Sequence, residues 1–224
     1  INRFPALLMT FDLLSDWEEV QRRGAPIPDV PSLKDWIDKE TKLGNPALQA
    51  EVEKTKDNVL TQALDWSLAV NKTIADMVHG LPPFPYVRDS LEKISDWADI
   101  IVCSATPYEA LKREWEEHDI AKFTRIIAGQ EMGSKKEHIQ LASDNKYRVE
   151  NVLMIGDAPG DKKAARGNGA KFFPINPGHE EKSWEMFYSE AAEKFKSGQY
   201  DNVYENNLIV EFENLLPEIP SWKI

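Results

Sequence analysis

The spacing of apolar residues divides the chain into two regions. Over residues 1–79, apolar side chains recur every three or four positions, which is the period of one helix face. Three prolines within four residues then mark a stiff connector at 80–85. The pattern predicts an all-helical domain over 1–79 and a second domain over 80–224. The first helical run consists of Phe4, Leu7, Leu8, Phe11, Leu14 and Trp17.

Beyond the connector, short continuous apolar runs alternate with amphipathic segments. Such runs are typical of strands that are buried on both faces. Strands that alternate with helices predict a parallel sheet. The expected fold class is therefore α/β, a Rossmann-like parallel-sheet core with an all-helical domain. The predicted strands are 100–103, 126–128, 152–155 and 171–175, and two tail helices are predicted around 184–195 and 204–216.

The charge balance narrows the class of partner. Asp and Glu total 38 against 27 Lys and Arg, so the net charge is −11. A nucleic-acid binder or an anionic-membrane binder would be basic, and neither is expected. The single cysteine excludes an internal disulfide framework and fits a reducing, cytoplasmic compartment. No apolar run approaches the length of a membrane span. The expected partner is a small molecule.

Candidate chemistry lies after the predicted strands, because ligands bind at the carboxyl ends of an open parallel sheet. Ser104 follows the first strand, and Asp157 follows the third, with Asp161 four residues later. Two carboxylates at a strand end suit Mg²⁺, although an acidic first turn of a helix would look the same. Ser104 is either a phosphate-binding hydroxyl or an ordinary helix cap.

Two lysines begin the helix between these strands. Ser134 and Glu137 fit a capping box, which places Lys135 and Lys136 in the first turn. The helix dipole disfavours cations there by ~0.3–1 kcal/mol each. A nearby phosphate or carboxylate would offset that cost, and the alternative is that both lysines are solvated.

The remaining reactive residue types show no site pattern. Cys103 lies in a predicted strand and is expected to pack in the core. The four histidines have no ligand spacing and are expected on the surface or in linkers: His79, His118, His138 and His179.

The order of these elements resembles the haloacid dehalogenase-like (HAD) hydrolase superfamily. The segment IVCSAT at 101–106 is similar to its second motif, Lys135 or Lys136 to its third, and MIGDAPGD at 154–161 to its fourth. The resemblance covers roughly residues 80–178, and the helical region 1–79 is similar in architecture to the family's cap domain.

The resemblance implies a Mg²⁺-dependent phosphatase that acts on a small phosphorylated metabolite. An Asp nucleophile would form an aspartyl-phosphate. Ser104 and Lys135 would hold phosphoryl oxygens, and Ala105 and Lys136 would complete the phosphate site. The metal residues would be Asp157, as a direct ligand, and Asp161, in support.

The family's first motif, Asp-x-Asp after a strand, has no clear counterpart. The nearest segment, 7–12, would place Thr10 at the nucleophile position and Asp12 at the acid/base position, as in an inactive relative. Its period is helical, however. We therefore expect the first strand and its nucleophile upstream of Ile1, since a core without a central strand leaves unpaired edges.

The sequence is also compatible with three functions other than a phosphatase. A dehalogenase or a phosphonate hydrolase would share the fold, and the latter needs a cap lysine that nothing in the sequence singles out. A non-catalytic binding protein of the same fold is a third interpretation. Dimerisation through the aromatic tail, with Trp184, Phe187 and Tyr188, stays open.

Overall fold

The computed structural model describes residues 2–77 and 80–223. It divides the chain into two compact units. Unit 1 extends from the start of the chain to Leu81 and includes the segment from Ser221 onward, whereas unit 2 runs from Pro82 to Pro220. The sequence pattern predicts that last segment in the second domain, whereas it packs with unit 1. The predicted linker residue His79 lies outside the described residues.

All regular structure described in unit 1 is helical, in agreement with its apolar period. Asn2 caps the first helix by accepting the Phe4 N–H at 3.0 Å, and Phe4 is buried against Trp36. From the tail, Trp222 stacks on Trp17 with ring centroids 5.3 Å apart. The helices are α1 (Arg3–Asp16), α2 (Glu18–Arg23), α3 (Pro31–Lys39), α4 (Asn45–Thr55) and α5 (Asn58–Met77).

Unit 2 alternates strands and helices, as the sequence pattern predicts. Each observed strand lies within one residue of its predicted bounds. The elements are α6 (Val87–Ser95), β1 (Ile101–Cys103), α7 (Tyr108–Glu117), β2 (Ile126–Ala128), α8 (Lys135–Ser143), β3 (Leu153–Gly156), α9 (Pro159–Arg166), β4 (Lys171–Pro174), α10 (Glu180–Met186), a π-helical turn (Phe187–Ala191), α11 (Ala192–Lys196) and α12 (Asn202–Asn214).

The four strands form two parallel pairs. β1 pairs with β2 with Val102 opposite Ile127, and β3 pairs with β4 with Met154 opposite Phe172. No strand pairing joins the two pairs among the described residues. The predicted α/β class with parallel strands is therefore confirmed. The continuous Rossmann-like sheet is not observed, because β1 and β3 each have a neighbour on one side alone.

The two strand pairs share one apolar cluster. Phe173 of β4 is 1% exposed and contacts Phe187 with ring centroids 5.2 Å apart. Ile100, Leu153 and Ile155 pack against the same cluster. The opposite face of β4 buries Phe172 against α9 and α12. The tail helices thus complete the core of unit 2.

Two tail side chains close the outer edge of β4. The Phe172 N–H donates to the Glu205 carboxylate at 2.6 Å, and the Tyr200 hydroxyl donates to the Phe172 carbonyl at 2.7 Å. Glu205 is fully buried. Its carboxylate oxygens lie 3.2 Å from a guanidinium nitrogen of Arg166 and 3.4 Å from the Lys171 Nζ. Both backbone groups of this edge residue are thereby satisfied, and the buried carboxylate is neutralised by two cations.

No helix in the described part of the chain is long and apolar enough to cross a membrane.

Candidate functional site

An ion pair joins the predicted lysine to one of the predicted metal residues. The Lys135 Nζ lies 2.5 Å from Oδ1 of Asp161. Asp161 is 2% exposed, and its Oδ2 accepts the Ala158 N–H at 3.2 Å. Both carboxylate oxygens therefore have a partner. A buried carboxylate is tolerable only with such a counter-charge, so the pair fixes the position of the Lys135 ammonium.

A glycine makes room for this carboxylate at the end of β3. A Cβ on Gly156 would lie 2.5 Å from Cβ, Cγ and Oδ2 of Asp161. No real side chain tolerates contacts of that length with backbone-anchored atoms, so position 156 requires glycine. The spacing Gly-Asp-x-x-x-Asp thus has a steric cause here, because the second aspartate folds back over the glycine.

The start of α8 orients Lys135. The Glu137 N–H donates to Ser134 Oγ at 3.3 Å, and the Ser134 N–H donates to the Glu137 carboxylate at 2.7 Å, so the predicted capping box is confirmed. The Ser134 N–H lowers the pKa of Glu137 below its ordinary value. The carboxylate of Asp161 offsets the cost of placing Lys135 in a first turn.

The second lysine points elsewhere. The Lys136 side chain is exposed, and its Cδ and Cε lie 3.3 Å from the place that a Cβ on Gly167 would take, at the end of α9. Its backbone carbonyl accepts a hydrogen bond from Asn168 at 3.1 Å. The structure therefore distinguishes the two predicted lysines, since Lys135 is the one that meets a buried carboxylate.

Asp157 is the carboxylate of the site that remains free to bind a metal ion. It directly follows β3, is exposed, and makes no hydrogen bond or ion pair with another described residue. Mg²⁺ commonly binds through one or two carboxylates and keeps several waters, so a single free carboxylate is a partial fit. Among the described residues, no group of three or more His, Cys, Asp and Glu side chains is arranged to hold a metal ion.

Ser104 organises the loop after β1. Its N–H donates to the Ala128 carbonyl at 3.0 Å, and its Oγ accepts the Thr106 N–H at 3.1 Å. The hydroxyl keeps its own hydrogen available as a donor. Ala105 and Thr106 are exposed. The loop therefore presents the Ser104 hydroxyl and the backbone of Ala105 at the end of the strand, whereas both backbone groups of Thr106 are already bonded.

The carboxyl ends of β1 and β3 meet at the ion pair. Cys103, the last residue of β1, interacts electrostatically with both Lys135 and Asp161. Burial raises the pKa of the Cys103 thiol to about 11, Lys135 opposes that rise, and Asp161 adds to it. The thiol is therefore protonated near neutral pH. It lacks the lowered pKa of a nucleophilic cysteine, as expected.

Two residues that the sequence analysis did not single out shape the neighbouring loop. A Cβ on Gly129 would lie 2.5 Å from the Tyr108 backbone nitrogen, so glycine lets the loops after β1 and β2 approach closely. The Glu131 carboxylate accepts its own backbone N–H and also the Tyr108 N–H, the latter at 3.0 Å, and these two bonds lower the pKa of Glu131. The sequence signal for this close approach was the glycine that directly follows a predicted strand.

The segment that offered a substitute first motif is helical. Thr10 and Asp12 lie in α1, and the Thr10 hydroxyl donates to the Ala6 carbonyl at 2.8 Å. Met9 is 53% exposed and belongs to no sheet. Thr10 therefore does not stand at a strand end, which removes the observation that favoured an inactive relative.

The expectation of a surface position is wrong for one histidine. His138 is 4% exposed on α8, and neither ring nitrogen has a hydrogen-bond partner among the described residues. Its position three residues after Lys135 places it on the helix face that packs inward. The helical spacing of Lys135, His138 and Ile139 was the signal available for this burial.

Comparisons of the chain with known proteins found no relative. No protein-family model, no curated protein and no solved structure matches the chain.

Proposed function

We propose that the protein is a HAD-type, Mg²⁺-dependent phosphatase that acts on a small phosphorylated metabolite through an aspartyl-phosphate. The observation that carries the proposal is the Lys135 ammonium, held by the buried Asp161 carboxylate against Gly156 at the end of β3, where the exposed Asp157 is the next residue. A cation and an exposed carboxylate at the carboxyl end of a parallel strand suit a phosphate and its metal.

Each residue has a distinct part in the proposal. Ser104 donates its hydroxyl hydrogen to a phosphoryl oxygen, and the Ala105 N–H donates to a second one. Lys135 neutralises phosphate charge. Asp157 would hold Mg²⁺, which supplies charge neutralisation when bound. Asp161 acts through Lys135, because both of its oxygens are already engaged.

The nucleophile is not among these residues. Cys103 is protonated at neutral pH, and Thr10 lies in a helix. In the proposal, an aspartate carboxylate that residues 1–224 do not supply attacks the phosphorus and releases the alcohol, and water then hydrolyses the aspartyl-phosphate. Residues 1–224 alone are accordingly expected to bind phosphate without turnover.

The first experiment measures turnover. The protein expressed from its complete reading frame is expected to release phosphate from p-nitrophenyl phosphate with Mg²⁺ and to lose activity with EDTA. Asp157→Asn should weaken activation by Mg²⁺ by at least about tenfold. Asp144→Asn, an exposed aspartate at the end of α8, is the matched control and should change little. No turnover by the full-length protein rejects the proposal.

The second experiment measures binding by residues 1–224. Inorganic phosphate with Mg²⁺ should shift the amide resonances of Ala105 and Thr106 in an NMR titration. Lys135→Gln should abolish those shifts, and Lys136→Gln should preserve them. Equal effects of the two lysine variants would contradict the assignment of Lys135 to the phosphate.

A further inference from the structure

One short segment connects the two parts of the candidate phosphate site. Ser104 and Ala105 belong to the loop after β1, whereas Lys135 is the first residue of α8. Residues 129–134 run directly from the end of β2 to Lys135. A contact between this segment and the loop after β1 therefore also limits how far the loop can move from the Lys135 ammonium.

Backbone groups make the first contacts between the segment and the loop. The Gln130 N–H donates to the Thr106 carbonyl at 3.1 Å. Gly129 is buried, and a Cβ on it would lie 2.5 Å from the Tyr108 backbone nitrogen. The two stretches thus approach each other as closely as a glycine permits.

Glu131 adds a side-chain contact at the same place. Its carboxylate accepts the Tyr108 N–H at 3.0 Å. Among the described residues, no other side chain of residues 129–134 bonds to the loop after β1. Tyr108 is the first residue of α7 and follows Pro107, whose side chain provides no cap. Glu131 therefore caps α7 from a different part of the chain.

An ionised carboxylate suits this position. The N–H of Glu131 itself and the Tyr108 N–H lower the pKa of Glu131, so the side chain is ionised at neutral pH. The first turn of a helix favours a negative charge, and a hydrogen bond to an ionised acceptor is roughly twice as strong as a neutral one. Loss of Glu131 would therefore remove a charge-assisted bond between the segment and the loop.

We propose that Glu131 is a positioning residue that holds the loop with Ser104 and Ala105 against the segment that leads to Lys135. The contact between loop and segment stands on the observed bonds alone. Its consequence for phosphate rests on the proposed function, because Ser104, Ala105 and Lys135 can bind one phosphate only while the two stretches stay together. Glu131 acts through the Tyr108 backbone and does not touch the phosphate.

Amide hydrogen exchange measured by NMR tests the contact. Glu131→Ala should accelerate exchange of the Tyr108 amide, which loses its acceptor. It should also accelerate the Gln130 amide by at least about tenfold, although the Thr106 carbonyl that this amide uses is unchanged. Glu131→Gln keeps a side-chain acceptor and should give intermediate rates. Glu109→Ala removes an exposed carboxylate from the same first turn of α7 and should change neither rate.

Phosphate binding tests the consequence of the contact. In a titration with inorganic phosphate and Mg²⁺, Glu131→Ala should raise the concentration that half-saturates the Ala105 amide shift by at least about tenfold. Glu131→Gln should recover most of the affinity, and Glu109→Ala should match the wild type. A role in stability alone would lower the free energy of unfolding and leave the affinity of the folded protein unchanged, which would overturn the proposal.

The outcomes separate the contact from the chemistry. Faster exchange of Tyr108 with an unchanged Gln130 amide would make Glu131 a local cap of α7 and overturn the proposal. Equal effects of Glu131→Ala and Glu109→Ala would overturn it as well. If the wild-type protein binds no phosphate, the proposed function is rejected, and the two amide rates still decide whether Glu131 holds the loop.

Discussion

Lys135 and Asp161 come from different helices and meet at 2.5 Å, one side chain half-buried and the other only 2% exposed. The contact ties the start of α8 to the first turn of α9 and thereby holds together the ends of two strands that do not pair. A buried carboxylate needs its counter-charge, so the fold and the candidate site depend on the same ammonium group.

Loss of that ammonium should destabilise the protein. Lys135→Met leaves the Asp161 carboxylate buried without a cation, and we expect the free energy of unfolding to fall by about 3 kcal/mol. Lys136→Met removes an exposed charge in the next position and should change it by less than ~0.5 kcal/mol. Urea denaturation measures both, and similar losses in the two variants would show that the ion pair contributes little.

The glycine under Asp161 should not tolerate a methyl group. Gly156→Ala places a Cβ 2.5 Å from three Asp161 atoms, so the carboxylate or the strand must move. We expect a loss of ~1–3 kcal/mol in unfolding free energy. Gly160→Ala is the matched control, because a Cβ there meets no atom within 4 Å. A Gly156→Ala variant as stable as the control would contradict the predicted steric conflict.

The single cysteine should react slowly. Burial raises the pKa of Cys103 to about 11, so little thiolate exists at pH 8. Its alkylation by iodoacetamide should be about 100-fold slower than that of an unstructured thiol, and the rate should rise with pH up to about 11. Mass spectrometry follows the reaction, with a short cysteine peptide as control. A rate that levels off by pH 9 would disprove the raised pKa.

Asp99 should make stability sensitive to acid. It accepts hydrogen bonds from the Tyr147 hydroxyl, from Lys146 at 3.0 Å and from Arg125 at 2.8 Å, which together hold its pKa well below the ordinary value. A carboxyl with a lowered folded pKa stabilises the fold above its unfolded pKa, near 4, and this contribution is lost as the pH falls further.

The Asp99→Asn variant tests whether this carboxylate stabilises the fold at neutral pH and loses that effect in acid. Wild type should be more stable than the variant at pH 7, and the difference should shrink between about pH 4 and pH 2. Asp96→Asn, at a nearby exposed aspartate, is the control for removing one surface carboxylate. Chemical denaturation across this range measures all three proteins. A difference that stays constant from pH 7 to pH 2 would refute the role of Asp99.

The buried carboxylate at the outer edge of β4 should be essential for local order. Glu205→Gln leaves Arg166 and Lys171 without their shared anion, and we expect a loss of about 2–4 kcal/mol. The Phe172 amide should exchange faster as its hydrogen bond weakens. Glu211→Gln, on the same helix but exposed, is the control. An unchanged Phe172 exchange rate would exclude Glu205 as its functional acceptor.

Local signals predicted much of unit 2. Apolar runs located each strand to within one residue, and Ser134 with Glu137 located the start of α8, because these patterns depend on neighbours along the chain. The expectation that a negative group would offset a first-turn lysine also follows from local physics, and the structure identifies Asp161 as that group.

Long-range relationships were beyond such signals. The separation of β1 from β3 depends on pairings between distant segments, whereas the strand pattern predicts one sheet. No local pattern singles out Glu205, which binds Phe172, 33 positions away. His138 was expected on the surface because it has no ligand spacing, although its helical spacing from Lys135 and Ile139 indicated the inward face of α8.

The side chains at the outer edge of β4 also limit how two molecules of this protein can associate. Glu205 and Tyr200 occupy both hydrogen-bonding groups of Phe172, so a foreign segment finds no template on that margin. Open-ended, edge-to-edge growth of strands from one molecule to the next is therefore blocked at β4.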